Sequence, residues 1–164
     1  LHSVGITLSY ETVKAGLGST SWPGRFERLD SGTGAIASGL VLDIAHNPAA
    51  ATALAANWIR EFGDRKANLI FGAVESKDIT GILQALLPIA DRVHFVPVNS
   101  PRALPPAKLA SLLPASSPPV EIHQNLQSAL DVSAAFPTLV TGSAFLVGEV
   151  KALLDDSSHR PSTQ

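Results

Sequence analysis

The strongest constraint on the fold is an alternation that runs through most of the chain. Short apolar runs, rich in β-branched residues, are each followed by a polar turn and then by a segment with apolar residues at helical spacing. Residues 39–44, 68–72, 92–97, 120–123 and 138–141 read as strands. The helical segments fall between and after them. The spacing predicts a helix over 48–62, with Ala51, Leu54, Ala55, Trp58, Ile59 and Phe62 on one stripe, Asn47 as its cap and Pro48 at its first position. A second helix starts at Asp78 and carries Ile79, Ile82, Leu83 and Leu86. Further helices are expected over 105–113, 125–135 and 143–154. Strands separated by helices cannot be hairpin partners, so they pair in parallel through right-handed crossovers and are covered on both faces. The expected fold is α/β: a three-layer, mostly parallel, doubly wound (Rossmann-like) sheet of about six strands. An antiparallel hairpin, 25–29 with 39–44, joined by the Gly/Ser-rich stretch 30–38, is expected at its edge.

Outside this alternation lie two ends. Residues 9–17 read as a short helix with Ser9 as cap and Gly16 near its end, followed by a linker over 18–23. Residues 155–164 are polar and read as a flexible tail. At 164 residues, 45% of them hydrophobic, the chain is long enough for one domain with a real core. A net charge of −2 gives no footprint for nucleic acid. There is no cysteine, no apolar stretch long enough to span a bilayer and no secretory signal pattern, so a cytoplasmic protein without a membrane partner is expected. The chain contains no methionine, which leads to the expectation that it is a piece of a longer polypeptide.

Doubly wound sheets bind ligands at the carboxyl ends of their strands, so the residues just after each strand carry the functional information. Asp43, His46 and Asn47 follow the strand at 39–44 and precede a helix N-terminus. Asp43 can satisfy amides of its own turn, with His46 an ordinary turn residue. Alternatively, Asp43 accepts from a ligand hydroxyl pair such as a ribose while His46 orients a second ligand. Ser143, in Thr141-Gly142-Ser143, is either a plain helix cap or part of an anion site made of free amides and the helix dipole. Lys77 and Asp78 form either a capped helix start or a phosphate contact. Arg102 reads as a surface arginine. No second His or Cys stands at ligand spacing from His46, so no metal is expected on this domain. The string 32–37 matches a dinucleotide fingerprint but precedes a strand instead of following one. No P-loop and no nucleophile elbow occur.

Five strings occur in order: Trp22-Pro23-Gly24-Arg25; Leu42-Asp43-Ile44-Ala45-His46-Asn47-Pro48; Phe71-Gly72-Ala73 with Lys77-Asp78; Ser100-Pro101-Arg102; and Thr141-Gly142-Ser143 with Val147-Gly148-Glu149. In this order and spacing they resemble the C-terminal domain of folylpolyglutamate synthases and bifunctional dihydrofolate synthases, within the Mur ligase superfamily. Ile44 stands where that family usually has glycine. The resemblance implies a division into residues 1–24 (tail of a preceding N-terminal domain and linker), 25–154 (the C-terminal domain) and 155–164 (tail).

The resemblance also implies a function. The family adds L-glutamate to folate or dihydropteroate through an acyl phosphate, with ATP cleaved to ADP. The P-loop and most Mg²⁺ ligands lie on the N-terminal domain, the partner this chain would need, and the ligase would be a monomer. Carried over, Arg25 contacts the ATP phosphates and is catalytic together with His46. Asp43 binds the ribose. His46 and Ser143 hold the incoming glutamate. Asn47, Lys77 and Asp78 support the site. The fragment alone is expected to be inactive. Two alternatives remain open: a non-catalytic nucleotide- or amino-acid-binding module, and a Mur-type ligase domain acting on cell-wall precursors.

Overall fold

The computed structural model describes residues 7–20, 22–29, 39–75, 78–133 and 137–158. Its strands are β1 (Glu27–Leu29), β2 (Leu40–Leu42), β3 (Ala67–Phe71), β4 (Ala90–Phe95), β5 (Val120–Ile122) and β6 (Thr138–Thr141). Its helices are α1 (Tyr10–Gly18), α2 (Pro48–Phe62), α3 (Ile79–Leu86), α4 (Pro106–Ala110), α5 (Leu126–Ser133) and α6 (Ala144–Ser158). The strands form one sheet in the order β1-β2-β6-β3-β4-β5. Only β1 and β2 pair antiparallel; every other pair is parallel.

Chain direction decides which face each helix covers. From β2 the chain steps outward to β3, β4 and β5, and right-handed crossovers put α2, α3 and α4 on one face. It then steps back to insert β6 between β2 and β3, so α5 lies on the opposite face, where α6 joins it. With both faces covered, β2, β3 and β6 are buried along their whole length, which is why they read as unbroken apolar runs. Under α2 and α3 the core is built on Trp58, Phe71 and Phe95, with the two phenylalanines edge to face at 6.1 Å. The Trp58 indole N–H donates to the Arg65 carbonyl at 2.7 Å, so the ring is buried without an orphaned donor. Under α5 and α6 the core is aliphatic, with Ile70, Val96, Val140, Leu130 and Leu146.

The fold is the expected three-layer α/β sandwich with an antiparallel edge pair, but several boundaries move. The first strand starts at Glu27, not residue 25, because Gly24 (φ +71°) and Phe26 (φ +45°) put residues 24–26 into a turn. The last helix runs to Ser158, four residues into the stretch read as a flexible tail; no Pro or Gly interrupts it there. Ile59, placed on the buried stripe of α2, is exposed instead. The hairpin loop 30–38 lies outside the described residues.

Candidate active site

The step back from β5 to β6 creates a crevice. The loops leaving β2 and β3 turn to one face, and the loop leaving β6, between them, turns to the other. Doubly wound sheets bind ligands at such a divergence. A cavity of about 360 Å³ opens there. His46 comes from the turn after β2, Glu75 from the loop after β3, Arg102 from the loop after β4, and Ser143 from the turn before α6. Ile79 and Ile82 of α3 give it an apolar wall.

The β2 turn is organised by Asp43. One carboxylate oxygen accepts from the Ala45 amide and the other from the Phe26 amide, each at 2.8 Å. The second of these bonds spans the chain from the β2 turn to the segment before β1. It fixes residues 24–26, together with the bond from the Ile44 amide to the Gly24 carbonyl at 2.8 Å. Glu27 completes the clamp: it accepts from the Gly24 amide at 2.7 Å and pairs with Lys151 of α6 at 2.7 Å. Arg25 is thereby presented on the surface from a turn that two carboxylates hold in place. Asp43 itself is only 8% exposed. Burial pushes its carboxyl above the usual range, opposed by the two amides and the Arg25 charge. Ile44, the departure from the family string, packs against Gly24: a Cβ there would lie 3.1 Å from its Cγ2.

His46 is exposed, and its Nδ1 donates to the Ile44 carbonyl at 2.9 Å. In the neutral ring that bond selects the tautomer with the proton on Nδ1 and leaves the Nε2 lone pair free. Asn47 caps α2 through Oδ1, which accepts from the Ala50 amide at 2.9 Å. On the other side of the cavity, Ser143 is 3% exposed and its Oγ accepts from the Phe145 amide at 3.2 Å. It follows Gly142, where φ is +104° and a Cβ would sit 2.7 Å from the Gly72 carbonyl oxygen. The neighbouring Thr141 hydroxyl is buried without a hydrogen-bond partner.

The sequence-predicted residues therefore divide. His46 and Ser143 share the cavity. Arg25, Asp43 and Asn47 do not line it: Asp43 and Asn47 shape the β2 turn, and Asp43 holds the turn that carries Arg25. Asp78 caps α3 through a 2.7 Å bond from the Gly81 amide, also off the cavity wall. Lys77 lies outside the described residues. Glu75 and Arg102 were not assigned to the site from sequence. The Glu75 amide donates to the Arg102 carbonyl at 2.8 Å, and a bridge joins Val74 to Ala103, so two loops far apart in the chain form one wall. Their only sequence signal is position on the carboxyl edge.

Residues 24–144 match the family described as Mur ligase, glutamate ligase domain. The chain is 37% identical over 146 residues to the dihydrofolate synthase/folylpolyglutamate synthase of Mycobacterium tuberculosis, covering 84% of this chain and 29% of that protein. It is 26% identical over 156 residues to the corresponding Escherichia coli enzyme, covering 94% and 36%. The structure of M. tuberculosis folylpolyglutamate synthase complexed with ADP and AMPPCP superposes with a TM-score of 0.77 at 32% identity, covering 98% of this chain and 38% of that one. The bifunctional synthase of Yersinia pestis with Mn, AMPPNP and L-glutamate bound gives 0.73 at 28% identity, covering 94% and 37%. The chain thus spans about a third of the length of these relatives. It belongs to the Mur ligase, glutamate ligase domain family, and the relatives it matches there are folylpolyglutamate and dihydrofolate synthases.

Proposed function

We propose that this chain is the glutamate-holding half of an ATP-dependent ligase. The ligase joins L-glutamate to folate or dihydropteroate, and its P-loop half is a further N-terminal domain. The carrying observation is the cavity that unites His46, Ser143 and Arg102 at the carboxyl edge of the sheet. An α-amino acid with two carboxylates needs an anion site and an acceptor for its amine. The α6 N-terminus with Ser143, and Arg102 on the same cavity, offer charge-assisted contacts to carboxylates. His46 Nε2 offers a lone pair to the amine. In the reaction the acceptor carboxylate takes the γ-phosphoryl of ATP and ADP leaves. The glutamate ammonium first gives up one proton to solvent; its free amine then attacks the acyl carbon, phosphate departs from the tetrahedral intermediate, and the nitrogen's second proton also passes to solvent. His46 stands where it can orient that nitrogen.

Arg25, on its clamped turn, meets the ATP phosphates and stabilises the charge that develops as the phosphoryl group leaves. Asp43 contributes to ribose binding through the lone pairs that the Phe26 and Ala45 amides leave open, and to Arg25 through the turn it holds. Mg²⁺ neutralises phosphate charge in such reactions. Among the described residues, no three histidines or carboxylates of this edge come close enough together to hold it. We assign no metal step to this chain. The whole ligase is read as monomeric and cytoplasmic.

Steady-state kinetics of the full-length ligase test this reading. Loss of one charge-assisted hydrogen bond of about 1.5 kcal/mol raises KM about tenfold. Ser143→Ala is expected to raise KM for glutamate by that amount with KM for ATP unchanged. An unchanged KM for glutamate overturns the assignment. The 164-residue chain alone is expected to show no folate-dependent ATP cleavage, because positioning of the two reactants needs both walls.

A further inference from the structure

At the far edge of the sheet, three places from β6, the register of β4 with β5 sets His94 opposite Glu121. His123, two residues on, projects to the same face as Glu121. The His94 Nδ1 and His123 Nε2 atoms are 2.9 Å apart. The Glu121 Oε2 atom lies 3.9 Å from the first and 3.8 Å from the second. We propose that His94, His123 and Glu121 form a binding site for a divalent transition-metal ion, Zn²⁺ foremost, that clasps the edge strand β5 to β4.

Four observations carry this. First, the point equidistant from the three atoms lies about 2.1 Å from each, the length of zinc–imidazole and zinc–carboxylate bonds. The Glu121 side chain is 40% exposed, so a small rotation lets the ion rise from the plane of the three atoms and take water as a fourth ligand. Second, the carboxylate is already oriented. Arg92 holds its Oε1 at 2.7 Å and leaves Oε2 to the two imidazoles, the outer-sphere support that metal ligands require. Third, His94 is 1% exposed, so packing already fixes its ring and little side-chain freedom is lost when it takes a metal. Fourth, two imidazoles and a carboxylate suit zinc, cobalt, nickel and copper and not magnesium or calcium. The 2.9 Å contact between the two rings needs one proton shared between them. The metal takes its place, both nitrogens become ligands, and that proton moves through solvent to the far nitrogen of the ring that held it, so both imidazoles stay neutral.

The site is separate from the cavity, and its failure leaves the ligase reading untouched. Metal-stripped, tag-free chain is titrated with Co²⁺ and Zn²⁺, with Mg²⁺ as control. One equivalent of Co²⁺ is expected to give the visible bands of a four-coordinate nitrogen–oxygen site, and Zn²⁺ to displace it with a rise in melting temperature. Mg²⁺ is expected to do neither. Glu121→Gln and His123→Gln are each expected to weaken Zn²⁺ binding at least about 100-fold, more than loss of an outer-sphere partner does. Should His123→Gln fail to fold, the half-exposed Glu121→Gln decides. No binding by the wild-type chain, or equal binding by the variants, overturns the proposal.

Discussion

A Cβ on residue 142 would lie 2.7 Å from the Gly72 carbonyl oxygen and equally close to Phe71 Cε2, at a backbone φ of +104°. Any side chain there must push β6 away from β3 and also hold a conformation that L-residues avoid. Gly142→Ala is expected to lower stability by about 2 kcal/mol or more, measured by urea denaturation. Glu27 makes a different prediction at the same scale. Burial raises its carboxyl pKa, but the Lys151 ammonium and the Gly24 amide outweigh it and hold the group below its ordinary value of 4.5. The folded chain therefore binds that proton more weakly than the unfolded one. The stabilisation is complete above the unfolded value and fades as pH falls through the folded one. Glu27→Gln is expected to melt below wild type at neutral pH, with the gap closing as pH drops below about 4.5. A gap independent of pH would mean that the Lys151 pair does not contribute.

Of the helices, α2 and α3 were the most legible, because each carries its own start signal and a stripe. Asn47 with Pro48 fixed the beginning of α2, and Gly63 follows its last residue. Asn47→Ala is expected to cost about 1 kcal/mol in urea melts, since the Ala50 amide loses its acceptor. Strand ends were less legible. Whether residues 25 and 26 continue β1 depends on Asp43 capturing the Phe26 amide, a contact made 17 residues away. The site shows the same division. His46 and Ser143 could be found because each follows a strand and opens a helix. Glu75 and Arg102 act through a bridge between loops, which no local pattern announces. The His94–His123 pair, 29 residues apart and set by strand register, was invisible to spacing. Asp43 was read as a ribose ligand or an ordinary turn residue; its long-range hold on the segment carrying Arg25 needed the fold.

At the scale of the molecule, α1 stands apart from the sandwich that the sheet organises. Ser9 caps it, its Oγ accepting the Thr12 amide at 3.1 Å, yet none of its residues is buried. Tyr10 is 75% exposed and Leu17 72%. A nine-residue helix is marginal in water unless an apolar face is packed, because nucleation is costly and few hydrogen bonds follow it. Among the described residues, attachment to the sandwich begins with Gly24, whose amide donates to the Glu27 carboxylate of β1 and whose carbonyl accepts from the Ile44 amide just past β2. The cooperative unit is therefore expected to begin there, and α1 to add nothing to its stability in this chain. Removal of residues 1–20 is expected to change the unfolding free energy by less than about 0.5 kcal/mol. In the longer chain, amides of residues 13–18 are expected to exchange with solvent far faster than those of β3 and β6. Measured by hydrogen exchange and urea melts on both lengths, equal protection of α1 and the sheet, or a large loss on truncation, would place α1 inside the cooperative unit.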